Sequence, residues 1–192
     1  FFYTLKNSET LRSEAIYRHT FSALTDQSEL IYKEDDETFS CYVTTSKSEE
    51  YVFIGSYSTL STEFQFIKAD EPLSAFSIVQ DRKEDLEYSI SHYGEHFYIF
   101  TNAGGAKNYS IMKTPVTAPK MENWEEVLAH REDVLLEDLE LFNDYWTVTE
   151  RAEGLAKIRI KRWDEQEDYY LPLEGETYTV YTSTNIDFDT TK

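Results

Sequence analysis

Two stretches of the chain, Arg82-Lys83-Glu84-Asp85-Leu86 and Arg131-Glu132-Asp133-Val134-Leu135, coincide when the sequence is slid along itself by about 49 residues. The same offset lays Phe97-Tyr98-Ile99 on Trp146-Thr147-Val148, Gly105 on Gly154, and Tyr109-Ser110-Ile111 on Ile158-Arg159-Ile160. An upstream copy fits at an offset of about 46, with Tyr51-Val52-Phe53-Ile54 over the segment that starts at Phe97. Helical repeats run shorter and are rich in Leu and Ala, whereas a period of about 45–50 suits the blades of a propeller.

The content of one repeat fixes its type. The central copy reads as four short strands over residues 86–92, 96–101, 107–113 and 124–130. Tyr88, Ile90 and His92 alternate with smaller or polar residues, the period-2 signature of a strand. Tyr93-Gly94-Glu95 and Asn102-Ala103-Gly104-Gly105 supply residues suited to the positive φ of tight hairpin turns. The third connection carries Pro115 and Pro119 and is expected to lie outside any central strand. Residues 124–130 are the only helix candidate, two turns at best, and their place in the repeat makes them a strand.

The neighbouring copies read alike, with strands over 39–46, 51–58, 62–69 and 76–81, and over 135–143, 146–151, 156–163 and 168–173. Ahead of them, 2–6, 14–21 and 29–34 read as the last three strands of a blade, and 178–183 as the first strand of another. The expected fold is therefore all-β: a partial β-propeller of consecutive four-stranded antiparallel blades, about three complete with parts at both ends. The blades fall at 1–38 (incomplete), 39–85, 86–134, 135–177 and 178–192 (first strand only). Terminal blades of such an array are expected to carry apolar side chains, among them Phe2, Ile16, Tyr17, Leu155 and Ile158, on open faces that favour self-association.

Composition supports this reading and narrows the partners. The 15 Tyr and 12 Phe suit pleated, half-buried surfaces. With Cys41 as the single cysteine there is no internal disulfide, and no apolar run approaches the ~18 residues of a membrane-spanning helix. The sequence opens on Phe1-Phe2-Tyr3 without an initiator Met, so it reads as an excised piece of a longer chain. The cytoplasm is its expected compartment, with the periplasm as the alternative. The net charge of -19 disfavours nucleic acid and anionic membranes as partners and is compatible with cationic ones. An acidic surface also serves solubility alone.

The usual catalytic motifs are missing: no G-x-S-x-G elbow, no Walker loop, no zinc-spaced cysteine pair. Ala103-Gly104-Gly105-Ala106-Lys107 lacks the outer glycine and Ser/Thr of a phosphate loop and reads as a hairpin turn. His92 and His96 have the i,i+4 spacing of a helical zinc pair, but Gly94 places them on different strands. Asn108-Tyr109-Ser110 is a formal glycosylation acceptor inside a strand pattern. No catalytic, cofactor-binding or metal-ligating residue is assigned. A charged group does recur before each inner strand, comprising Asp36 and Glu37, then Arg82, Glu84 and Asp85, then Arg131, Glu132 and Asp133. These lie in blade-to-blade connections. They serve either as a cation-attracting channel mouth or interdomain surface, or as salt bridges and turn caps that stitch blades together.

Several segments together resemble the prolyl oligopeptidase family, and within it the oligopeptidase B (protease II) branch. They are the run from Leu30 through Tyr32-Lys33-Glu34-Asp35-Asp36-Glu37 to Phe39, the run Ser56-Tyr57-Ser58-Thr59-Leu60-Ser61-Thr62-Glu63, Glu87-Tyr88-Ser89, Ala106-Lys107-Asn108, and His130-Arg131-Glu132-Asp133-Val134-Leu135-Leu136-Glu137-Asp138. They span nearly the whole chain in order. The resemblance implies a seven-bladed propeller joined to a C-terminal α/β-hydrolase domain with a Ser-Asp-His triad, the propeller admitting only short peptides. The oligopeptidase B branch cuts after Lys or Arg. On this reading the chain is the substrate-gating part of a serine peptidase, inactive alone, with that C-terminal domain and short basic peptides as partners. The alternative is a stand-alone propeller-like module that docks a protein on its acidic face.

Overall fold

The computed structural model describes residues 1–21, 28–183 and 185–190. It divides into two compact units, Phe1–Glu87 and Tyr88–Lys192, each holding two antiparallel sheets.

In the first unit, β1 (Phe2–Lys6), β2 (Ser13–His19) and β3 (Ser28–Lys33) form a three-stranded meander. The next sheet runs β4 (Ser40–Thr45), β5 (Tyr51–Tyr57), β6 (Thr62–Lys68) and β7 (Ser77–Gln80), each strand paired with its chain neighbour. Six consecutive residues of β5, Tyr51 to Ser56, are buried. A strand covered on both faces reads as such an unbroken run rather than as an alternation. Ile16, Cys41 and Ile54, at most 1 % exposed, form the core, with Phe2, Ile31, Tyr32, Val43 and Phe76 packed around them.

In the second unit, β8 (Tyr88–Tyr93), β9 (His96–Thr101), β10 (Ser110–Pro115) and β11 (Glu125–Leu128) form one meander. The other is β12 (Leu135–Leu141), β13 (Tyr145–Ala152), β14 (Leu155–Arg162) and β15 (Asp168–Tyr170). Tyr98 and Ile111 of the first sheet meet Leu136, Leu141, Trp146 and Val148 of the second in a common core. Trp163 closes its rim, stacking on Tyr93 at 3.8 Å between ring centroids and donating its indole N–H to the Phe142 carbonyl. The repeat is visible in the backbone. Gly104 and Gly105 have φ of 69° and 83°, and their counterparts Glu153 and Gly154 have 53° and 82°. Each pair turns the second strand of its blade into the third, in the left-handed region that a side chain disfavours.

Four expectations need correction. Ile16 and Ile158 are buried, at 0 % and 7 %, and so are not open apolar surface; Ile16 faces β4 of the following sheet. Pro115 does belong to a central strand, as the last residue of β10 opposite His96. At a strand's end the missing N–H breaks no interior ladder bond. Residues 178–183 form no strand, because none of the described strands pairs with them, and a strand exists only where a partner completes its hydrogen bonds. The segment 124–130 shortens to β11, entered from a 3₁₀ turn at Met121–Asn123.

Candidate functional site

The charged connections are built around two buried carboxylates. In the first unit, Glu34 follows β3 and is 3 % exposed. Arg82, from the connection after β7, grips it with both guanidinium arms, Nη2 to Oε2 at 2.6 Å and Nη1 to Oε1 at 3.3 Å. The hydroxyl of Tyr32 donates to Oε2 at 2.7 Å, the Asp36 N–H donates to Oε1 at 3.1 Å, and Ser56 donates to the Tyr32 oxygen at 3.0 Å. The guanidinium carbon lies 3.6 Å from the Phe39 ring centroid, and Glu63 and Asp36 approach at 3.8 and 3.9 Å. Such a two-pronged grip is what the planar guanidinium fork provides and a lysine cannot.

Electrostatics fix the protonation states. Burial works to raise the Glu34 carboxyl, but the hydrogen bonds from Arg82, Tyr32 and the Asp36 N–H outweigh it and hold the group below the ordinary value. Burial, with the adjoining Glu34 carboxylate, pushes Tyr32 up to about 12 against the opposing hydrogen bond from Ser56. Serine, tyrosine and glutamate form a chain in name only. The glutamate is held in its charged form and occupied by arginine, the tyrosine stays a donor, and Ser56 is 2 % exposed. This node holds charge in place rather than moving protons.

The second unit repeats the chemistry with different strands. Glu150 on β13 is 2 % exposed and takes Arg131 Nη2 at 2.7 Å and the Tyr170 hydroxyl at 2.8 Å. Arg159 stands 3.7 Å from its other oxygen and pairs with Asp168 through two hydrogen bonds of 2.7 Å. Those bonds, against a smaller effect of burial, hold the Asp168 carboxyl below its ordinary range. Arg131 thus reaches into the sheet that follows it, whereas Arg82 reaches back to the segment between β3 and β4.

The remaining connection residues are surface groups. Asp36 caps its own turn, accepting from the Thr38 N–H at 2.9 Å and its hydroxyl at 2.6 Å. Asp85 adopts φ of 58° and donates its N–H to the Ser61 hydroxyl. Glu37, Glu84, Glu132 and Asp133 are exposed. His92 and His96 sit on adjacent strands, β8 and β9, and the Nε2 of His92 lies 2.7 Å from the Gly94 carbonyl.

Sequence reasoning flagged the two arginines through their repeat spacing but not Glu34, Glu150, Tyr32 or Tyr170, which carry no local signature. It also missed the clamps on the connections. Each comes from the turn before a sheet's third strand, or in the three-stranded meander from the β1–β2 turn. Arg12 donates to the carbonyls of Glu34, Asp36 and Phe39. Ser61 accepts from Asp85. Asn108 donates through Nδ2 to the carbonyls of Arg131 and Glu132, both at 2.9 Å. That amide is therefore engaged structurally, and the formal glycosylation triplet runs from the β9–β10 turn into the first residue of β10.

Serial antiparallel meanders, one of three strands and three of four, each connection pinned from the preceding sheet, are the blades of a β-propeller domain. Comparison with known proteins gives the particular family. The model of the prolyl oligopeptidase N-terminal beta-propeller domain matches residues 1–192, and the chain belongs to that family. It is 33 % identical to the dipeptidyl aminopeptidase BI of Pseudoxanthomonas mexicana over 184 residues, 96 % of this chain and 25 % of the relative. Protease 2 of Moraxella lacunata is 27 % identical over 189 residues, 98 % of this chain and 26 % of that protein. Oligopeptidase B from Leishmania major superposes with a TM-score of 0.82 at 26 % identity, covering 91 % of this chain and 26 % of the other. The chain thus resembles the oligopeptidase B branch and spans about a quarter of the length of these relatives.

Proposed function

We propose that this chain is the substrate-gating propeller part of an oligopeptidase B-like serine peptidase that cleaves short peptides after Lys or Arg, and that it has no peptidase activity by itself. The observation that carries the reading is the family match over residues 1–192 together with the likeness to oligopeptidase B. The net charge of -19 agrees with basic peptides as substrates, since an acidic field raises the encounter rate of cations. Acyl transfer needs a nucleophile, a base and an oxyanion hole in one place. The reading assigns these to a C-terminal α/β-hydrolase domain, which the propeller screens from folded proteins.

The test compares the 192-residue chain with the longer protein on fluorogenic peptides carrying Arg or Lys before the scissile bond. Turnover is expected from the longer protein alone, blocked by a serine-directed inhibitor. Activity that co-purifies with the folded 192-residue chain and survives that inhibitor overturns the reading.

A further inference from the structure

The end of the β8–β11 sheet that carries the β9–β10 turn and the connection toward β12 also holds a hollow of about 510 Å³. Ligand pockets span about 300–1,000 Å³, so this one has the size to take a side chain with its adjoining backbone. One wall is the 3₁₀ turn Ala103–Gly105, another is the β10 face bearing Met112, and the third is formed by Met121, Trp124, Glu126 and His130. Trp124 is fixed in place, its indole N–H donating to the Pro119 carbonyl at 2.9 Å and its ring meeting Tyr88 edge-on at 5.6 Å.

Among the described residues, two polar groups here lack partners. The Nε2 of His130 is buried without a hydrogen bond. Glu126 is exposed on β11, and among the described residues no cation pairs with it, whereas neighbouring Glu125 stands 3.8 Å from Lys113. A buried ring nitrogen left unbonded is costly unless a ligand or water completes it.

We propose that this hollow binds the guanidinium side chain of an arginine in a peptide. Thioether and indole surfaces suit its aliphatic stem, and the Trp124 face attracts a cation. The guanidinium carries five donors and no acceptor, complementing the Glu126 carboxylate and the unbonded His130 Nε2. The inference deepens the reading of basic peptides as substrates. It is tested by binding without turnover, so its failure leaves the peptidase assignment standing, and the reverse also holds.

The chain contains two methionines, both in the hollow, so methyl-¹³C labelling gives two reporter signals. Titrating N-acetyl-arginine methylamide should move both signals saturably. The citrulline analogue, alike in shape and uncharged, should bind roughly tenfold weaker or less. Glu126→Gln should weaken the arginine probe roughly tenfold and His130→Leu roughly fivefold, with Glu125→Gln leaving binding unchanged. Stationary methionine signals, or citrulline binding as well as arginine, overturn the proposal on the unaltered chain, whatever the folding of the variants. So does undiminished binding by a folded Glu126→Gln protein.

Discussion

Glu34 and Arg82 illustrate how one residue pair acquires its energetic weight. A carboxylate 3 % exposed cannot stay charged without compensation, and here a two-pronged arginine, a phenol and a backbone N–H all compensate it. Arg82→Met should destabilise by about 3 kcal/mol, the low end for a broken buried pair, because the arginine side chain keeps 27 % of its surface accessible. Glu34→Leu added to Arg82→Met should recover part of that loss in urea unfolding, since the unpaired charge is then gone. The pH dependence follows from the two shifts. Glu34 is depressed when folded, so its contribution is present above the ordinary value of 4.5 and is lost as pH falls through the lower folded value. Tyr32 is raised, so its contribution is complete below pH 10.0 and is lost as pH rises toward about 12. Arg82→Met should flatten the acid limb of a stability–pH profile; an unchanged acid limb would remove Glu34 from the account.

At the scale of the element, β5 shows why a glycine sits inside a fully covered strand. A Cβ on Gly55 would lie 2.6 Å from two carbons of the Tyr42 ring, which crosses the strand from β4, where Tyr42 and Gly55 are paired. The ring also meets Tyr57 at 5.9 Å and Phe64 at 6.3 Å, so the glycine leaves room for an aromatic cluster to cover its own backbone. Gly55→Ala must displace that ring and should cost about 1–3 kcal/mol, a typical overpacking penalty. With Tyr42→Ala already present, the same substitution should be close to neutral, because alanine is the better strand residue once the clash is gone. A double-mutant cycle by thermal unfolding measures this; additive effects would show that the ring contact does not select the glycine.

At the scale of the whole molecule, the proposed role makes the acidic connections a matter of encounter rather than chemistry. If Asp36, Glu84, Glu132 and Asp133 help draw cations toward the channel of the proposed peptidase, their joint replacement by Asn or Gln should lower kcat/KM for basic peptides at low salt. The deficit should shrink as the screening length falls toward about 8–10 Å at physiological ionic strength. Stability should hardly move, as all four are exposed, an asparagine side chain can still accept from the Thr38 N–H, and the Asp36–Arg82 approach is a long 3.9 Å. Equal rates at low ionic strength would confine these four carboxylates to turn structure and solubility.

The amino-acid sequence by itself determined the blade repeat, the order of the strands and the turn positions. These depend on near-neighbour chemistry: alternation along a strand, and residues such as Gly94 and Gly154 where φ turns positive. Even there, Pro115 and residues 178–183 depart from what their local pattern predicts, because a strand's extent is settled by its partner and not by its own residues. The tertiary structure alone decided that Arg82 meets Glu34, 48 residues away, and that Arg131 meets Glu150. It alone placed Ile16 in the core against β4, and gathered Met112, Trp124, Glu126 and His130 around one hollow. Contacts between sheets join residues remote in the chain, and their identity follows from how twisted, pleated surfaces stack, which no local pattern records.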